Sequence, residues 1–179
     1  MTSGPLTPSV LDLLSHSRFL HLATCSDNVP HVSLMNYTFI EPNEDRSCSF
    51  LKDFKNLILL ATSKNTQKFI NLEKNGKCSI LLHDWITNNS VHTDNNNVLK
   101  LLQSINQSEV GDLSVTLDGH VVKFLLDNKS EEYEFFKQLH LQKNPDAKAF
   151  VEGDDVAFIL IQVDESKVSD SNNNVSKFK

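Results

Sequence analysis

Glycine, proline, cysteine and arginine are all scarce in this chain of 179 residues. The five glycines form no Gly-x-Gly-x-x-Gly and no phosphate-binding Gly-rich loop, which argues against a nucleotide held in that way. Gly-x-Ser-x-Gly and His-Glu-x-x-His are also missing, so a serine-hydrolase elbow and a helical zinc-protease motif are excluded. Cys25, Cys48 and Cys78 are widely spaced, without a Cys-x-x-Cys pair. Buried reduced thiols are expected, rather than a zinc site or a disulfide framework. No apolar run approaches the roughly 20 residues that cross a bilayer as a helix. Met1-Thr-Ser-Gly-Pro5 has no cationic stretch ahead of an apolar one. That start predicts no secretory leader and a cytoplasmic location, with the nucleus also open. Basic charge is short as well: 17 Lys+Arg stand against 23 Asp+Glu, a formal net charge of -6. Nucleic acids and anionic membranes select basic surfaces, so neither is an expected partner.

The length suits a single domain whose core needs no covalent staple. We place that domain at residues 1–168 and a loose polar tail at 169–179. Thr7-Pro8 predicts a helix start, with a hydroxyl at the cap and proline at the first helical position. Phe19–Thr24 reads as a strand, Ser26-Asp27-Asn28 as a turn, and His31–Ile40 as one continuous strand. Asn56–Thr62 is a short apolar run, expected to be a buried strand. A short helix follows from Thr66 to Lys74, ended by Asn75-Gly76 with glycine as a left-handed cap. Lys77–Trp85 is the next strand, Asn88–Asn97 a polar loop, and Val98–Ile105 a helical turn or two. Leu113–Leu117 alternates, Asp118-Gly119 predicts a hairpin turn, and His120–Leu126 the returning strand. Ser130 caps a helix with Glu131 and Glu132 in its first turn, and Asp155–Val163 is the last strand. Six or seven strands with few helices indicate a mainly β fold: a closed or partly closed antiparallel β-barrel with peripheral helices.

Little in the chain marks out chemistry. Alternation along a strand puts His83 and Asp84 on opposite faces, so they form no direct acid–base couple. The most suggestive stretch is Leu60-Ala-Thr62-Ser63-Lys-Asn-Thr66-Gln67-Lys68. A buried strand runs through hydroxyls into a helix start, where free N–H groups and a lysine suit a phosphate. The same pattern also describes an ordinary polar turn.

Three segments fall in the order and spacing of a known family. They are His31-Val-Ser-Leu-Met-Asn-Tyr-Thr-Phe39, Leu60-Ala-Thr-Ser-x-x-Thr-Gln-Lys-x-x-x-Leu72 and Cys78-Ser-Ile-Leu-Leu-His-Asp-Trp85. The set resembles the pyridoxamine 5'-phosphate oxidase-like family, as a fungal-type member. The resemblance implies a six-stranded antiparallel split barrel, a homodimer, and FMN bound at the dimer interface. Residue by residue it implies Thr62 and Ser63 at the strand end, Gln67 and Lys68 where the family has an Arg-Lys phosphate clamp, and Ser114 where it has a glutamine. Trp85 matches a tryptophan at the end of its strand and equally suits a core or interface aromatic. The family's vitamin-forming oxidases carry an Arg-x-His segment that contacts substrate. Val175-Ser-Lys-Phe-Lys179 has neither residue, and Arg18 and Arg46 are the chain's two arginines. The resemblance therefore implies an FMN-dependent oxidoreductase of unknown small-molecule substrate, not a pyridoxamine-phosphate oxidase. The alternative is a non-catalytic dimeric flavin-binding or interaction module. Related split barrels also hold haem or a deazaflavin.

Overall fold

The computed structural model describes residues 4–41, 50, 55–83, 113–170, 172 and 174–179. Trp85, Asp84, Cys48, the polar loop 88–97 and the helix expected at 98–105 lie outside the described residues. Helix α1 spans Pro8–His16, and the Thr7 hydroxyl accepts from the Val10 N–H, as its sequence predicts. Among the described residues eight strands follow in one antiparallel sheet: β1 Phe19–Ser26, β2 Val29–Asn36, β3 Thr38–Ile40, β4 Leu57–Ser63, β5 Lys77–His83, β6 Leu113–Leu125, β7 Val156–Asp170 and β8 Val175–Phe178. Between them lie α2 (Gln67–Lys74), α3 (Glu131–Lys143), a single 3-10 turn (Pro145–Ala147) and the short α4 (Lys148–Val151).

The strand order is β2-β1-β5-β6-β7-β4-β3, with β8 paired to β7. Since β3 continues β2 after one residue, the sheet's two ends belong to one broken strand, and the sheet closes on itself. Counting β2 and β3 together and setting β8 aside leaves a six-stranded barrel, as expected. The break at Tyr37 departs from the single strand predicted. Tyr37 is pinned there: its hydroxyl donates to Leu14 O at 2.8 Å, and its carbonyl accepts from Asn144 Nδ2 at 2.9 Å.

Alternate residues of β1, β4, β5, β6 and β7 fill the interior with Leu20, Leu22, Leu60, Ile80, Leu117 and Ile159. Helix α1 adds Val10, Leu13 and Leu14 to this core, and α2 adds Phe69 and Leu72. The outer sides of β4 and β7 are covered by α3, through Tyr133 and Phe136 against Leu57, Leu59, Phe158 and Leu160. Both faces of these two strands are thus buried, which accounts for their unbroken apolar runs. The Ser130 cap of α3 forms as expected, its hydroxyl accepting from the Tyr133 N–H at 3.2 Å.

Three local expectations fail. Asp118-Gly119 is no hairpin turn: β6 runs straight through it, with a register shift against β7 at that pair. The glycine serves close approach instead, since a Cβ there would lie 2.3 Å from the Gln162 carbonyl oxygen. Gly119→Ala is therefore expected to destabilise the fold by roughly 1–3 kcal/mol. Urea unfolding measures this, and an unchanged midpoint would mean that β7 yields without cost. Asn75 leaves α2 in an extended conformation (φ -137), so no left-handed glycine cap forms before β5. The tail expected to be loose begins inside β7 and returns as β8, pairing Ser166–Ser169 with Phe178–Val175. Lys177 and Lys179 reach Glu165 there, at 3.8 and 3.1 Å.

Candidate functional site

Strand β2 pairs with β1 over its whole length, from Val29↔Ser26 to Asn36↔Phe19. After Tyr37 the chain pairs with β4 instead, as Thr38↔Leu59 to Ile40↔Leu57. Extending that register would set Asn36 opposite Ala61 and Leu34 opposite Ser63, yet no ladder forms there. The barrel is split at this point. One side of the split is the second edge of β2, whose backbone groups have no strand partner among the described residues. The other is the end of β4, followed by the turn into α2.

That turn is held by its own hydroxyls. Thr66 Oγ1 donates to Ser63 O at 2.9 Å, so in its 3.0 Å contact with Thr62 Oγ1 it must be the acceptor. Ser63 Oγ donates to Asp155 Oδ2 at 2.5 Å and accepts from the Asn65 N–H at 3.2 Å, while the Lys64 N–H donates to Asp155 O at 2.8 Å. The Thr62 and Ser63 hydroxyl protons are thus committed to the turn. Because Thr66 is occupied in this way, it makes no side-chain cap on α2, and among the described residues nothing bonds the first-turn N–H groups. Gln67 Nε2 donates to Asn71 Oδ1 at 2.8 Å.

Lys68 differs from its neighbours. It is half-buried, with no carboxylate against it among the described residues, and desolvation holds its ammonium below the usual lysine range. A cation so placed, beside free helix N–H groups, suits an anionic ligand. Thr62, Ser63, Gln67 and Lys68 therefore come together. Ser114 does not join them within one chain. It pairs with Ser169 of β7, whereas Ser63 pairs with Val156, so a dozen residues of β7, roughly 40 Å of strand contour, intervene.

Ser114 lies instead on the outer sheet face with His83, Leu81, His21 and Leu34. This face is apolar and open: Val32 is 65% exposed, Leu34 62% and Phe19 48%. The His21 and His83 rings stack on it, 5.8 Å apart. Burial, and secondarily His21, holds His83 below the usual histidine range.

Sequence reading missed Asp155, Asn71 and Thr24, which anchor the turn and α2. A buried asparagine between Phe69 and Leu72 was the available signal. It also missed His140, 1% exposed, whose Nδ1 lies 3.0 Å from Thr38 Oγ1 and whose ring meets Phe158 edge-on. A depression of about 660 Å³ along α3 includes Glu131 and Glu134 in its lining and shares no residue with the split.

A family model described as pyridoxamine 5'-phosphate oxidase matches residues 6–167. The chain belongs to this family. A Saccharomyces cerevisiae protein named a pyridoxamine 5'-phosphate oxidase homolog is 33% identical over 192 residues, covering 96% of this chain and 94% of its own. A Schizosaccharomyces pombe homolog of the same oxidase is 35% identical over 174 residues, covering 92% and 86%. Among solved structures, a heme binding protein from Mycobacterium smegmatis superposes with a TM-score of 0.62 at 15% identity, covering 97% of this chain and 59% of that one. A FAD-binding protein from Mesorhizobium loti gives 0.59 at 12% identity, covering 91% and 94%. At these identities the two structures establish the split-barrel fold, which the family assignment shares.

Proposed function

We propose that this member of the pyridoxamine 5'-phosphate oxidase family is a dimeric FMN-binding protein and a flavin-dependent oxidoreductase of a substrate other than pyridoxamine 5'-phosphate. The observation that carries the reading is the split itself. Among the described residues, a β2 edge without a strand partner faces a helix start that holds a half-buried lysine without an ionic partner. The residues fit FMN. Lys68 Nζ and the first-turn N–H groups of α2 meet the phosphate, and β2 backbone groups meet the polar edge of the ring. When bound, FMN supplies hydride and electron transfer. Thr62, Ser63 and Asp155 shape the turn that presents Lys68, and Gln67 fixes α2 through Asn71. A lysine beside a helix start suits a phosphate, which FMN carries and haem lacks.

Ser114 supports the dimer. Lying so far from Lys68 in its own chain, it contributes to a flavin site only across an interface, and its open apolar face is where a second copy docks. Sedimentation should give a dimer, and the purified protein should show flavin absorption bands and release FMN on denaturation. A colourless protein that takes up no FMN would reject the reading.

With FMN loaded, pyridoxamine 5'-phosphate is expected to yield no pyridoxal 5'-phosphate. The sequence has two arginines, Arg18 and Arg46, of which Arg18 pairs with Asp146 at 2.7 Å, and Lys177 and Lys179 are engaged by Glu165. Lysine does not reproduce the planar two-point hold of a guanidinium on phosphate. Turnover at about one per second or faster would overturn this expectation.

A further inference from the structure

Asn71 links the α2 turn to the open strand. It is 2% exposed and lies three residues after Lys68 and four after Gln67, so all three share one side of α2. Its Oδ1 accepts from Gln67 Nε2, and its Nδ2 donates to Thr24 Oγ1 at 3.1 Å. Thr24 stands directly opposite His31 in the β1–β2 ladder. Facing residues there have Cβ atoms about 4.5–5.5 Å apart. His31 Nδ1 in turn lies 3.4 Å from Ser33 Oγ. One polar row therefore runs from the first turn of α2, across Asn71 and Thr24, to His31 at the mouth of the barrel. Further into the barrel the same faces of β1 and β2 become apolar and buried, with Leu20, Leu22 and Met35.

The row is half-open at both ends: His31, Ser33 and Lys68 are each partly exposed. Gln67 stands where a second cation would complete a phosphate clamp, and its amide is already bonded to Asn71. We propose that His31 supplies the missing contact, as a second side-chain donor to the phosphate end of the bound flavin, opposite Lys68. In the tautomer that accepts the Ser33 hydroxyl proton at Nδ1, the ring proton sits on Nε2, the nitrogen left for a ligand. On the adjoining elements Lys74 pairs with Asp27 at 3.3 Å, and these two satisfy each other.

This inference rests on the flavin reading, and riboflavin separates the two. It has the ring and ribityl chain of FMN without the phosphate. His31→Gln is expected to raise the FMN dissociation constant about tenfold while leaving that of riboflavin within about twofold. His31→Lys should restore most of the preference for FMN. Riboflavin binding also reports that each variant is folded. Equal weakening of both ligands would make His31 a support of β2 alone and overturn the inference, as would an unchanged FMN constant. If the unaltered protein binds neither flavin, or binds both equally, the phosphate reading fails as a whole and His31 with it.

Discussion

The Lys68→Ala protein is expected to bind FMN ten- to a hundredfold more weakly than the unaltered chain, with its fold intact. A charge-assisted hydrogen bond to phosphate contributes roughly 1.5–3 kcal/mol, and each 1.4 kcal/mol is about tenfold in affinity. The fold should survive because Lys68 has no ionic partner among the described residues, so truncation strands no buried carboxylate. Removing a partly desolvated ammonium also relieves a small cost in the free protein. The loss should appear for FMN and be absent for riboflavin, and it should shrink as salt is added. Fluorescence titration of both flavins reads all three effects. An FMN constant that stays put, in a variant of unchanged melting temperature, would take Lys68 out of the site. Gln67→Arg should move affinity the other way, even though it gives up the bond to Asn71.

The second large effect is acid instability centred on His140. Its burial, without a compensating charge, pushes the imidazole down to about 4. In the neutral form Nδ1 shares a hydrogen bond with the Thr38 hydroxyl, while Thr38 Oγ1 accepts from Asn144 Nδ2 at 3.1 Å. An unfolded histidine takes up a proton below about pH 6.5. Between 6.5 and about 4 the unfolded chain therefore holds more protons than the folded one at this residue, and stability falls with pH. Below about 4 both states are protonated and this loss stops growing. The whole window corresponds to about 3 kcal/mol. Urea unfolding at intervals from pH 7 to 4 measures it. His140→Leu should start less stable, because Thr38 loses a buried hydrogen-bond partner, but show a flatter pH profile. An equally steep profile in that variant would assign the acid loss to other groups.

How far these features were legible in advance depends on how local their causes are. Thr7-Pro8 and Ser130 announced their helices because a cap and its N–H lie three residues apart. Thr62, Ser63, Gln67 and Lys68 were legible as a group for the same reason. The Asp118-Gly119 pair misled because a turn dipeptide reports tolerance for unusual backbone, and glycine was needed for the approach of Gln162. Tyr37 breaks its strand through bonds to Leu14 and Asn144, partners that no window around residue 37 contains. Ser63 looked like a ligand donor until Asp155, brought in by β7, took its proton. Ser114 could be carried over from the family by alignment, but its distance from Lys68 emerges only from strand register.

The placement of β4 also bears on how the chain is made. Leu57 pairs with Gln162 and Ser63 with Val156, so this strand waits for β7, the last long strand to leave the ribosome. At synthesis rates of roughly 5–20 residues per second, the intervening stretch of about a hundred residues takes on the order of ten seconds to appear. Throughout that time Leu57-Ile58-Leu59-Leu60, destined to be buried on both faces, has the three-residue β3 as its one strand partner among the described residues. Such a segment is a natural target for chaperones that hold extended apolar peptides on nascent chains. Truncations that end before β7 should then accumulate as aggregates and not as partly folded barrels.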